Sequence, residues 1–147
     1  MARYATTVRT DLSPAEAFVY VAELSNLAEW DPGVRSASQI NGDGPGPDAA
    51  YAVTLSSPGS TKLTYETTRY DGDALTTTLV AKHTWFTSID TVTAAPSGDG
   101  AEVTYDAELQ LCGPLALGDL LFRPVFQRIG DNAARGLVTA LDGVKVA

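Results

Sequence analysis

Polar and apolar positions alternate with a period of two at the start of the chain: Tyr4, Thr6, Val8 and Thr10 fall on one face, Ala5, Thr7, Arg9 and Asp11 on the other. That period, in β-favouring residue types, predicts a first strand. Ser13-Pro14-Ala15-Glu16 then sets a capping serine, a proline at the first helical position and a glutamate able to close a capping box, so a helix starts here and buries Phe18, Val21 and Ala22. Asn26 and Glu29 repeat the capping pattern for a short second helix, which Asp31-Pro32-Gly33 ends, leaving Trp30 at the corner.

From Val34 to Leu111 the alternation returns between stretches of turn chemistry: 42–47, Ser57-Pro58-Gly59, Asp71-Gly72, Ala81-Lys82-His83 and 96–100. Six strands fit between these marks. The clearest sets Val103, Tyr105, Ala107, Leu109 and Leu111 against Thr104, Asp106, Glu108 and Gln110. One apolar face and one polar face predict an antiparallel sheet covered on one side. Segment 42–47 reads as a hairpin loop, because strand pattern resumes directly after it.

The period changes to that of a helix between Leu115 and Leu141. Leu121, Phe122, Val125, Phe126, Ile129, Ala133, Leu137 and Ala140 share one arc, with Gln127, Asp131, Arg135 and Asp142 opposite. This is the cover for the sheet. Pro124 should kink or divide it, and Asp131 and Arg135 are spaced for an i,i+4 pair on the solvent side.

Composition narrows the function classes. A chain of 147 residues, 44% apolar and 19% charged, suits one soluble domain, and no apolar run approaches the ~20 residues of a membrane span. A net charge of −8 with ten scattered Lys and Arg residues argues against nucleic acid and gives no help toward anionic lipid surfaces. The first seven residues lack the apolar stretch of a signal peptide, so a cytoplasmic protein is expected. Lone Cys112 reads as a small buried core residue, and the single histidine, His83, as a solvent-exposed bystander in a turn. One His and one Cys make no usual metal cage, and segment 42–47 lacks the helix and lysine of a phosphate-binding loop; no cofactor is implied.

The order is strand, two short helices, six strands and a long helix. With it go four stretches: 12–18, Trp30-Asp31-Pro32-Gly33-Val34, 100–105 and 130–137. In order and spacing these resemble the START-like (SRPBCC, helix-grip) superfamily, and in particular its bacterial polyketide cyclase/dehydrase and lipid-transport family. The resemblance implies an α+β fold whose seven-stranded curved antiparallel sheet wraps a long C-terminal helix. It also implies a small apolar ligand, such as a lipid, polyketide or aromatic compound, held beneath that helix by a monomer or homodimer.

Strand direction then selects the residues expected to contact the ligand. These are Tyr65, Leu79, Trp85, Thr87 and Tyr105 from the sheet, Phe122, Val125 and Ile129 from the helix, and Trp30 from the corner. Buried phenols and indoles need hydrogen-bond partners, which a ligand or water can supply. A catalytic alternative uses the same cavity for cofactor-free cyclisation or dehydration, with Tyr65, Tyr105, Arg69 and Asp90 as the polar candidates. Alternation opposite Ile89 sets Asp90 toward solvent, which favours binding over chemistry. At least two polar side chains meeting inside the cavity would favour chemistry; a filled interior would favour a subunit that works by assembly.

Overall fold

A computed structural model describes residues 2–56, 61–113 and 118–147, and the side chains of all of these except 119–121. The turn at Ser57-Pro58-Gly59, the helix start at Leu115 and the side chain of Leu121 lie outside the described residues.

Strand β1 (Ala2–Thr10) buries Ala2, Tyr4, Thr6, Val8 and Thr10 in strict alternation. Helix α1 (Pro14–Ala22) starts at Ser13, whose Oγ accepts from the Glu16 amide (3.2 Å) and donates to the Glu16 carboxylate (2.9 Å). A 3-10 turn (Leu24–Asn26) and the single turn of α2 (Leu27–Trp30) follow. Asn26 does not cap α2. Its amide instead donates to the Tyr20 carbonyl (3.0 Å) and the Glu23 carboxylate (3.2 Å), because Asn26 is itself helical in φ and ψ.

Strands β2 (Val34–Asn41), β3 (Ala50–Leu55), β4 (Lys62–Asp71), β5 (Thr76–Lys82), β6 (Phe86–Ser97) and β7 (Gly100–Leu111) pair antiparallel with their sequence neighbours. β1 then pairs antiparallel with β7. A two-residue strand, β8 (Val144–Lys145), adds to the free edge of β1, so the sheet has eight strands in the order β2-β3-β4-β5-β6-β7-β1-β8 where seven were expected. Two residues carry too little pattern to be read as a strand.

Helix α3 (Asp119–Leu141) runs unbroken through Pro124. It lies close on its supports through glycines. A Cβ at Gly130 would overlap the Tyr4 ring, and one at Gly136 would overlap the carbonyl oxygen of Trp30. Tyr4 Oη also donates to Asp131 Oδ1 (2.8 Å), while Arg135 donates to Asn132, so the expected Asp131–Arg135 pair gives way to these partners. Ala140, expected on the covered arc, is exposed. None of the described helices is long and apolar enough to cross a membrane.

The interior has two regions. Under α1, which packs on β6 and β7, Phe18, Val21, Val8, Val92 and Val103 form a filled core. Under α3 the sheet and helix stand apart around a cavity.

Candidate functional site: an apolar cavity with a hydrogen-bonded wall

The cavity has a volume of about 910 Å³, within the roughly 300–1,000 Å³ of small-molecule sites. Seven of the nine expected contact residues line it. Trp30, Tyr65 and Tyr105 form part of its inner wall and are mostly covered. Trp85, Phe122, Val125 and Ile129 belong to its outer part; Trp85 and Val125 are each 51% exposed and Ile129 43%, which marks the mouth. The other two do not reach it. Leu79 points inward but lies in the filled core, and Thr87 is on the opposite face of β6.

The same parity corrects Asp90. Ser88, Asp90, Val92 and Ala94 are the buried positions of β6, while Thr91 and Thr93 meet Thr78 and Thr76 through their hydroxyls on the outer face. Asp90 is therefore 4% exposed and faces the cavity, whereas Ile89 is on the outer side. A signal was present in the sequence: Phe86, Val92 and Ala94 share the parity of Asp90. Arg69 is exposed and does not line the cavity.

Around Asp90 the sheet register assembles one chain of hydroxyls. Tyr65 pairs with Ala81 on β5, and Ala81 with Ser88 on β6, so the three side chains form a row across the strands. The small Ala81 lets the Tyr65 phenol lie across it, and Tyr65 Oη donates to Ser88 Oγ (2.9 Å). Ser88 Oγ donates to Asp90 Oδ1 (3.0 Å), and Tyr105 Oη donates to Asp90 Oδ2. Tyr105 also receives the Trp30 ring edge-on, with centroids 5.3 Å apart and planes at 76°.

These contacts govern acidity. Burial raises the Asp90 carboxyl to about 6 despite the bonds from Tyr105 and Ser88, which favour its charged form, and Asp31 adds a small upward push. Burial, then the neighbouring Asp90, holds the Tyr65 and Tyr105 phenols well above their ordinary value, so both stay neutral donors. Asp31, also in the lining, is raised by burial and partly lowered by the Gly33 amide, which donates to Oδ1 (2.8 Å). An apolar chamber thus ends in a carboxyl group able to change protonation near neutral pH.

His83 is half-buried in the lining rather than a plain surface residue, with its ring stacked on Phe86 at 4.9 Å. Cys112 is partly exposed just after β7 rather than buried in the core. Among the described residues no group of three or more His, Cys, Asp and Glu side chains is arranged to hold a metal ion. Sequence reasoning missed Ser88 and Asp31, which look like ordinary strand and turn residues until the register brings them to the cavity.

The family model described as polyketide cyclase / dehydrase and lipid transport matches residues 1–142. No curated protein matches the chain. Among solved structures, an aromatase/cyclase (Zhui) from Streptomyces sp. R1128 superposes with a TM-score of 0.74 at 8% identity, covering 95% of this chain and 93% of that one. A START superfamily protein from Mycobacterium smegmatis gives 0.72 at 11% identity, with 97% and 98% covered. A protein from Thermus thermophilus gives 0.72 at 17% identity, with 95% of each chain covered. At these identities the likeness is one of fold.

Proposed function

The chain belongs to the polyketide cyclase/dehydrase and lipid transport family, and from that premise we propose that it binds a small, largely apolar molecule carrying oxygen substituents in the cavity beneath α3. The observation that carries this reading is the union of an aromatic and aliphatic chamber of about 910 Å³ with one polar wall, Tyr65–Ser88–Asp90–Tyr105. Apolar walls supply affinity, and a few placed polar groups supply orientation. An interior of this volume does not favour a subunit that acts by assembly alone. Native mass spectrometry of protein from its own host, followed by extraction under denaturing conditions, tests the reading. A retained stoichiometric small molecule is expected. No retained molecule, together with no thermal shift across a panel of lipids and fused-ring aromatics, would sink it.

A second reading is favoured by the meeting of Tyr65, Ser88, Asp90 and Tyr105 inside the cavity, the condition set above for chemistry: cofactor-free acid–base chemistry on a bound β-hydroxy ketone. Asp90 would take the proton next to the carbonyl as the C=C bond forms and the C–O bond breaks; the departing hydroxyl would collect that proton and leave as water. Asp90→Asn should then abolish dehydration while binding persists. Equal turnover by the variant would leave binding alone.

A further inference from the structure

Charge is divided between the two ends of the sheet. At the end that carries the cavity mouth, β2, β4, β6 and α3 begin and β3, β5 and β7 finish. Six of the ten Lys and Arg residues belong to this end: Arg3, Arg35, Lys62, Lys82, Arg123 and Arg128. Against them stand Asp31 in the lining, Asp119 at the start of α3, and Asp106 and Glu108 on the outer face beside Arg3. The far end holds Asp11, Asp43, Asp48, Asp71, Asp73 and Asp99 in and beside its turns. Negative charge thus gathers away from the mouth, which a net figure of −8 hides because it records no position.

Large apolar side chains reach solvent at the same place. Trp85, Val125 and Ile129 are about half exposed around one opening. Exposed Lys82 leads into the turn that carries Trp85, and exposed Arg128 adjoins Ile129 on α3. An indole and two aliphatic side chains with cations beside them match the boundary between lipid headgroups and acyl chains, where indole rings settle and Lys and Arg meet phosphates. Distance removes the objection from net charge. The 12 residues of β7 span roughly 40 Å at ~3.4 Å each, several times the ~8 Å over which charge acts at physiological salt.

We propose that the mouth end docks reversibly on an anionic lipid surface, with Trp85, Val125 and Ile129 entering the headgroup layer and Lys62, Lys82 and Arg128 meeting lipid phosphates. A few basic groups and one indole give attachment without insertion. The docking depends on the mouth and not on what the cavity holds, so it stands or falls apart from the ligand-binding reading.

Cosedimentation with vesicles tests it. The intact chain should bind vesicles of phosphatidylcholine containing about one-third phosphatidylglycerol at least roughly tenfold more tightly than vesicles of phosphatidylcholine alone, and added salt should release it. Tryptophan emission should shift to the blue on binding, as Trp85 leaves water. Lys82→Glu should weaken binding roughly five- to thirtyfold, whereas Arg69→Glu, the same charge change at the far end, should alter it by less than about twofold. Both positions are exposed, and equal melting temperatures show that both variants keep the fold. No binding to either vesicle at low salt would overturn the proposal and leave the face to an acidic protein partner. Equal losses from the two substitutions would overturn it as well, because net charge alone would then govern the attachment. Either result leaves the ligand-binding reading untouched.

Discussion

At Asp90, burial and hydrogen bonding act in opposite directions, and burial prevails: the carboxyl is raised from 3.8 to about 6. Between those two values the folded chain holds a proton that the unfolded chain has released. Its stabilising contribution is therefore complete below about 3.8 and is lost as pH rises through 6. Thermal unfolding should show the melting temperature contributed by this group falling from pH 4 to pH 7, and Asp90→Asn should flatten that fall. At pH 8 the variant should melt higher than the unaltered protein by roughly 3 °C, the scale of about 1 kcal/mol in a domain of this size. Unchanged pH dependence in the variant would mean that Asp90 is not the titrating group. A residue kept at a cost to stability at neutral pH is typical of a site serving function.

Among the elements, the ones with a single clear period were legible in the sequence. β1 and α1 follow their patterns residue by residue, because each has one face against the core and one against solvent; in β7 Val103 is buried and Tyr105, Ala107, Leu109 and Leu111 continue the same face along the cavity. β6 defeated the same reasoning. Its inner face carries the polar Ser88 and Asp90 and its outer face Ile89, so hydrophobicity points the wrong way around Asp90, although Phe86, Val92 and Ala94 on either side point the right way. The hydroxyl chain was illegible for a related reason: it depends on the register of β4, β5 and β6, and no single strand records it. The seat of α3 was likewise hidden in a glycine. Gly136 lies where a side chain would meet the Trp30 backbone, which cannot swing aside as a side chain tip can. Gly136→Ala should therefore cost roughly 1–3 kcal/mol despite the better helix propensity of alanine, as read from urea denaturation. A stabilised variant would mean that α3 is free to shift away from α2.

For the whole molecule, the charge of −8 extends into the chamber, whose described lining holds two carboxyl groups and no Lys or Arg. Bringing an anion there would need desolvation of its charge with no Lys or Arg of the described lining to offset it. A neutral long-chain alcohol should accordingly bind at least tenfold tighter than the matching carboxylate at pH 8, on the scale of about 1.4 kcal/mol per tenfold. Calorimetry with decanol and decanoate checks this, and preference for the acid would place an unrecognised cation at the site. The division of the interior into a filled region under α1 and an open one under α3 explains how a chain of this length keeps both a packed core and an internal chamber.

The described close contacts of α3 at Gly130, Asp131 and Gly136 lie beyond Ile129, while the chamber lining runs along the helix from Phe122 to Ala134. These contacts seat the back half of the helix, and the front half adds Phe122, Val125 and Phe126 to the cover over the guest. Residence time should then be set by how readily the front half lifts, separately from how strongly the walls hold the guest. Pro124 has no N–H to give to the carbonyl four residues earlier, which weakens that front half. Pro124→Ala should slow the arrival and departure of a fused-ring aromatic guest alike, roughly three- to tenfold, leaving the equilibrium constant unchanged in stopped-flow measurements of tryptophan emission. The proline would in that case serve as a clock for exchange, and affinity and turnover of the guest could be altered independently.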